Sequence, residues 1–337
     1  MRSNNIIHVN DPGFSEAWAR GEKIRGATVF YTNSFREYER LSFGKEIISD
    51  DSFAVVSESG ETLALVPLYA FEKNGQLEYC YGTLGFLRGP LIDGLPGSEI
   101  FETVLRLIID HIEELSVNKN ILTHNVMIEA VELAEGRTRL NYLCDFGYED
   151  ISTVTPLIQC DSSDEVLRRG LRKSYKPLIN RAQRNYRTVV VHKDNYDEGL
   201  CEEYRKLHAL AAGRSTRNSD SFRKMYAMIK AGKAFLVLIQ DSASVTVGSY
   251  YFLMHNGYAF YGSAATHPEL SSQSGVGHLG LWQGILFARQ LGCKWMDLGQ
   301  LLMRKDITEK EKNIHLFKSG FGGKQVTVFR GVRRFKA

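Results

Sequence analysis

Asp297 and Lys318 are the two side chains of this sequence best placed to do chemistry. Asp297 closes the run Cys293-Lys-Trp-Met-Asp297, where a strand leaves its sheet. A carboxylate there can accept a proton or orient a cation. The structural alternative is an Asx turn, since Leu298-Gly299-Gln300 supplies turn residues. Lys318 sits one turn before Gly320-Phe-Gly-Gly323. An ammonium aimed at a developing oxyanion stabilises it, and losing one such donor typically costs about 3 kcal/mol. The alternative is a lysine favoured by the dipole at a helix C-terminus. Ser272-Gln-Ser-Gly-Val-Gly277 opens a helix, and Ser272, Gly275 and Gly277 could present free N–H groups to a phosphate or form a plain Ser/Gly loop. Tyr261 and Ser263 end the strand before that loop. Arg88, Arg214 and Arg217 are candidates to hold a substrate phosphate through planar cationic forks, against the ordinary fate of a solvated or paired arginine. His208 and His278 lie on helices without ligand-like partners and read as structural or surface residues. No GxSxG elbow and no Ser-His-Asp or Cys-His pattern is present.

These residues sit on a repeat. Residues 53–83 align without a gap to residues 235–265, with six identities in 31 positions. Phe53 matches Phe235, Tyr69 matches Tyr251, Asn74-Gly75 matches Asn256-Gly257, and Tyr79 matches Tyr261. Each copy reads as a strand, a polar turn, a longer strand, an Asn-Gly hairpin turn and a third strand. A helix follows in each. Glu99 to Glu114 carries the stripe Ile100, Val104, Leu107, Ile108, Ile112, and His278 to Leu291 carries Leu279, Leu281, Trp282, Ile285, Leu286, Ala288. Strands Ile121 to Ile128 and Cys293 to Leu298 come next, then a helix and a last strand. Ser263 is matched by Tyr81, and Lys318 by Asp145, so the copies differ where chemistry is expected. The loop Asp93-Gly-Leu-Pro-Gly-Ser-Glu99 of copy one carries acids that repel phosphate, which points to copy two for a phosphate site. The fold class is α+β: two tandem domains, 1–160 and 161–337, of mixed, mostly antiparallel sheets flanked by helices.

The 337 residues carry a net charge of +3, with ordinary apolar and charged fractions of 43% and 24%. The charge is unevenly spread. Asp164 to Arg187 has eight basic residues and two acids, a net of +6 that leaves −3 on the rest. This segment reads as one basic helix, capped by Ser162-Ser-Asp-Glu165, kinked or split at Pro177, and buried along Leu167, Leu171, Tyr175, Leu178 and Ala182. Three readings of its charged face stay open: packing on acidic neighbours, a shelf for acceptor or tRNA phosphates, and contact with anionic lipid. The overall balance argues against a duplex-gripping, DNA-binding protein. Five widely spaced cysteines without a CxxC pair argue against a disulfide framework and a thiolate metal site, and no metal is expected. Cys144, Cys160 and Cys293 read as small core residues. No apolar run reaches the roughly 18 residues of a membrane span, and Met1 to Phe14 lacks the layout of a signal peptide. A cytoplasmic location follows, with the inner face of the membrane as the alternative.

Four segments carry a family resemblance: Arg88-Gly-Pro90, Leu171-Arg-Lys-Ser-Tyr-Lys-Pro-Leu-Ile-Asn-Arg-Ala182, Cys293-Lys-Trp-Met-Asp-Leu-Gly299 and His315-Leu-Phe-Lys-Ser-Gly-Phe-Gly-Gly323. In this order, from about Thr28 to Val332, the chain resembles the FemAB-like transferases, whose domains are tandem GNAT N-acyltransferase folds. The resemblance implies transfer of an acyl or aminoacyl group to an amine, with acyl-CoA or aminoacyl-tRNA as co-substrate. It implies an acceptor on a cell-envelope precursor: an amino sugar of surface polysaccharide or a peptidoglycan stem, lipid- or nucleotide-linked. Asp297 would then manage the amine proton and Lys318 the oxyanion. Tyr261, Ser263, Ser272, Gly275 and Gly277 would hold the donor, and Arg88, Arg214 and Arg217 the acceptor. Ser272 departs from the Q/R-x-x-G-x-G/A loop of acyl-CoA enzymes, while Gly275 and Gly277 fit it. The run His208 to Arg217 resembles the polysaccharide-associated branch, and the charged coiled-coil insertion of some tRNA-using members is absent. The competing class is a non-catalytic RNA- or membrane-surface-binding protein that kept the fold.

Overall fold

The computed structural model describes residues 5–81, 85–270, 274–301 and 306–335, so Ser272 lies outside the described residues. The chain divides into two compact units, Met1–Thr153 with Val326–Ala337, and Val154–Gln325. The division precedes residue 160, and the C-terminal segment counts with the first unit because its last strand pairs there.

The first unit contains β1 (Asn5–His8), α1 (Phe14–Gly21), α2 (Asn33–Phe43), β2 (Ile47–Asp50), β3 (Phe53–Val56), β4 (Thr62–Val66), β5 (Tyr69–Lys73), β6 (Gln76–Tyr79), β7 (Leu87–Arg88), β8 (Leu91–Ile92), α3 (Glu99–Asn118), β9 (Ile121–Met127), α4 (Ala130–Ala134) and β10 (Glu149–Asp150). The second contains β11 (Thr153–Gln159), α5 (Asp164–Gly170), α6 (Tyr175–Asn185), β12 (Arg187–Val191), α7 (Glu198–Ala212), α8 (Ser219–Lys230), β13 (Ala234–Gln240), β14 (Thr246–His255), β15 (Tyr258–Thr266), α9 (Val276–Gln290), β16 (Trp295–Asp297), α10 (Glu309–Ser319) and β17 (Lys324–Val328). The chain ends with β18 (Arg330–Arg334).

Both units are α+β with mostly antiparallel sheets. The repeated core is present in both, and both Asn-Gly turns have the positive φ pair that the two-residue hairpin needs: 54° and 75° at Asn74-Gly75, 47° and 74° at Asn256-Gly257. The copies diverge in the second strand. In copy two it is the unbroken, ten-residue β14. In copy one it splits at Pro67-Leu68 into β4 and β5, which lie in different sheets, β1-β3-β4-β8 and β10-β18-β9-β6-β5-β2. Proline has no N–H for a ladder, which ends the strand there. The second unit keeps one sheet, β12-β13-β14-β15-β16-β11-β17.

The core stripes differ slightly from the sequence expectation. On α3 the buried set is Phe101, Val104, Leu105, Ile108, Ile109 and Ile112, whereas Ile100 is 61% exposed. Cys160 and Cys293 are buried as expected, and so are Cys80 and Cys201, but Cys144 is exposed. The basic segment is two helices, and the break is not at Pro177. The chain leaves α5 at Gly170, with Leu171 extended (φ −63°, ψ 138°), and Pro177 falls in the first turn of α6, where an N–H has no intrahelical partner to lose. Ser163, one residue later than expected, caps α5 by accepting from Val166 N. Ile179 is buried and Leu178 only half-buried. Among the described residues no helix is long and apolar enough to cross a membrane, and no group of three or more His, Cys, Asp or Glu is placed to hold a metal ion.

Candidate active site

In the second unit, β15 and β16 run parallel, with Tyr258 opposite Trp295 and Phe260 opposite Asp297. There β16 ends, while β15 continues to Thr266. Among the described residues, the edge of β15 beyond Phe260 therefore has no strand beside it. Just past that point the β14–β15 register shifts: Phe252 faces Tyr261 and Tyr251 faces Ser263, leaving Gly262 as the extra residue. A bulge of this kind bends a strand and re-aims its side chains. The outcome is an open edge that starts beside Asp297 and carries Tyr261 and Ser263.

Asp297 is 4% exposed and held from three sides. Thr155 Oγ1 and Gly299 N both donate to its Oδ1, the latter at 2.7 Å, and the Tyr258 hydroxyl donates to Oδ2 at 3.1 Å. The Gly299 bond is the Asx turn. Thr155 comes from β11 and Tyr258 from β15, so three strands converge on one carboxylate. Neither residue was legible as a partner in the sequence, because both are brought there only by strand pairing.

Lys318 arrives from the last turn of α10. A Cβ built on Gly299, which has φ +82°, would stand 2.9 Å from the Lys318 Nζ. Glycine at 299 leaves the Lys318 ammonium room to lie close against the turn after Asp297. Burial lowers the Lys318 pKa, and the Asp297 carboxylate opposes that shift. The two residues singled out from the sequence thus share one electrostatic site.

The basic segment braces α10 against this site. Tyr175 donates from its hydroxyl to the carbonyls of Leu316 (3.0 Å) and Phe317 (3.2 Å) in the last turn of α10, adding to the bonds they accept from Ser319 Oγ and Gly320 N. Arg172 N donates to Gly320 O at 2.8 Å, and the Arg172 guanidinium reaches Ser319 Oγ at 3.3 Å. Tyr175, His278, Phe317 and Phe321 pack ring to ring, with Tyr175 and His278 4.3 Å apart. Burial and the Arg172 charge push His278 down to about 4, so it is neutral at physiological pH. On the outer side Lys173 and Arg184 are exposed and make no ion pair among the described residues.

The remaining candidates fall in three places. Tyr261 packs on Phe252 at 5.6 Å, and burial raises its phenol pKa. Ser263 shares a hydrogen bond with the buried Tyr204 at 2.9 Å. One turn along α7, His208 contacts Thr216 Oγ1 at 3.0 Å and Arg217 at 3.3 Å. The structure therefore links Ser263 to the Arg214–Arg217 loop, with Arg214 exposed and Arg217 half-buried. Gly275, at φ +77°, is buried, and a Cβ there would lie 2.5 Å from the Leu178 carbonyl oxygen. It is required by the close packing of α9 on α6. Gly277 is half-buried beside the Phe317 ring. Arg88 belongs to the first unit, where it pairs with Glu129 at 2.8 Å and lies 3.7 Å over Phe30.

No family model matches the sequence, and no curated protein matches it. Solved structures do match in fold. FemX superposes with a TM-score of 0.66 at 12% identity, over 96% of each chain. L-PGS from Bacillus licheniformis gives 0.57 at 13% identity, over 90% of this chain and 92% of that one. A tandem GNAT protein from the clavulanic acid biosynthesis pathway, solved without AcCoA, gives 0.51 at 14% identity, over 98% of each. The chain has the tandem GNAT fold shared by these proteins.

Proposed function

We propose that the chain is an N-acyltransferase that moves an acyl or aminoacyl group to an amine, with its chemistry in the second unit. The carrying observation is the Asp297–Lys318 pair at the point where β16 stops and the edge of β15 opens. An extended donor can add to such an edge through main-chain hydrogen bonds, which brings its carbonyl toward Lys318. The ammonium stabilises the oxyanion that forms as the amine attacks. Asp297, expected as the acceptor of the amine proton, is buried and already accepts three hydrogen bonds. It acts as a positioning residue that keeps Lys318 charged, and the amine proton leaves to solvent or to the departing group.

The donor is acyl-CoA or aminoacyl-tRNA. The fold shared with a tandem GNAT protein described by reference to AcCoA makes CoA species the first to test. The acceptor is an amine of a cell-envelope precursor, with Arg214 and Arg217 of the second unit as candidate phosphate contacts, and Arg88 as a separate candidate within the first unit. A cytoplasmic protein working on precursors at the inner face of the membrane fits this reading. The test is a thermal-shift panel of acetyl-CoA, CoA, charged tRNA and uncharged tRNA. A ligand at 100 times its dissociation constant adds about 2.7 kcal/mol of apparent stability. Silence toward all four defeats the reading.

The exposed Lys173 and Arg184 favour a second reading, a non-catalytic RNA- or membrane-surface-binding protein. RNA binding through six or more phosphate contacts would weaken on the order of 10³-fold between 50 and 200 mM salt. A flat salt response removes it.

A further inference from the structure

Two arginines of the first unit flank Met127 on one face of its larger sheet. β9 is flanked at Met127 by β7, through Arg88, and by β18, through Arg330. Residues paired across neighbouring strands point the same way. Arg88, Met127 and Arg330 therefore share a face, and Arg88 Nη1 reaches the Met127 sulfur at 3.7 Å. Each guanidinium lies on a ring, Arg88 over Phe30 at 3.7 Å and Arg330 over Phe86 at 4.4 Å. Stacking fixes the plane of a guanidinium and leaves the N–H groups of its edge to donate.

Their counter-charges differ. Arg88 has the buried Glu129. Arg330 is half-buried and makes no ion pair among the described residues, and its buried Nε has no hydrogen-bond partner. Glu39, a buried acid in the field of Arg88, is pushed up to about 8 by burial and carries its proton at neutral pH. Burial and repulsion from Arg88 hold the Arg330 pKa down, at about 10. A guanidinium partly removed from water, within reach of a second one's charge and without an acid of its own, is unfavourable unless something else supplies the negative charge.

We infer that Arg330, with Arg88 on the other side of Met127, binds an oxyanion, a phosphoryl or carboxylate group, on this face of the first unit. Planar N–H forks match both groups. The inference gives Arg330 a part in the role expected of Arg88. It stands whether or not the chain transfers an acyl group, because binding alone reads it out.

The full chain is titrated with inorganic phosphate, pyrophosphate and acetate, each against chloride at equal ionic strength, by thermal shift and calorimetry. At least one oxyanion should raise the melting temperature in a saturable way. Preference for phosphate or pyrophosphate over acetate identifies a phosphoryl site, and the reverse a carboxylate site. Arg330→Met should weaken that binding at least about tenfold. Without anion it should melt no lower than wild type, since it removes an unpaired charge. If Arg330→Met fails to fold, Arg330→Lys keeps the charge, loses the planar fork and should bind more weakly than wild type. No saturable response to any of the three, or unchanged affinity in the folded variant, overturns the inference.

Discussion

The two copies of the repeat handle the same place in opposite ways. In copy one, β6 ends at Tyr79 and β7 takes over the parallel pairing with β9, Leu87 opposite Val126 and Arg88 opposite Met127. The strand after the helix, β9, thus stays paired beyond the end of the third strand. In copy two, β16 stops at Asp297 while β15 runs on to Thr266, and among the described residues no strand pairs with that edge of β15. The chemistry follows the difference. Opposite Tyr79 stands His124, which is buried, bonded to the Tyr148 hydroxyl at 2.7 Å and pushed down by burial to about 3, so it is neutral. Opposite Phe260 stands Asp297, with Lys318 near by. The counterpart of Lys318 in copy one is the exposed Asp145. A fold that duplicates its framework can keep one half closed and structural while the other keeps an edge open for a substrate.

Replacing Lys318 should break this contrast most sharply. Lys318→Met is expected to lower kcat about 10²–10³-fold, while Asp145→Ala in copy one stays within about twofold on the same assay. The folded state holds the Lys318 proton less tightly than the unfolded chain. Its charged form therefore costs stability below the folded pKa, and this cost fades as the pH rises through the ordinary lysine range. Lys318→Met should accordingly be more stable than wild type at pH 7, with a gain that shrinks toward alkaline pH. Denaturant titrations at several pH values check it, and a variant that is less stable and fully active would contradict both halves.

Gly299→Ala tests whether proximity matters. Its methyl group would displace the Lys318 ammonium, and turnover should fall on the order of 10²-fold, with a further cost of about 1–2 kcal/mol from a side chain at positive φ. Unchanged kinetics would separate Lys318 from the reaction. Asp297→Asn should cost less, roughly tenfold in rate. Its signature is in the pH profile: with the carboxylate charge gone, Lys318 loses its proton more easily, and the alkaline limb of kcat moves to lower pH. A limb that stays in place means that Asp297 does not act through Lys318. The smallest effect belongs to the brace. Tyr175→Phe removes the two hydrogen bonds to the end of α10, for about 1 kcal/mol of stability and a few-fold loss in kcat. An unmoved melting temperature would show that the brace carries no load.

Much of the framework was legible because it depends on neighbours in the chain. Both Asn-Gly turns, the paired β-β-β-α-β order, the second-unit helix beginning near Gly275 and the candidacy of Asp297 and Lys318 follow from local pattern. The misses share a cause. The α3 stripe shifted because Ile100 and Phe101 both suit an apolar face, and only packing chooses between them. The break in the basic segment fell at Gly170, since a proline in the first turn of a helix costs nothing.

By itself the sequence determined a duplicated α+β chain with one basic segment and two charged residues near the ends of its last repeat. Periodicity, turn chemistry and charge are properties of consecutive residues, so they can be read without coordinates. Only the tertiary structure decided in which copy the third strand runs past its neighbour, that Thr155 and Tyr258 converge on Asp297, that α6 holds the end of α10, and that Arg330 and Arg88 flank Met127. Those relations join residues from more than 100 to more than 200 positions apart in the chain in several cases. They are set by strand register and by where a strand stops, and no local pattern encodes either.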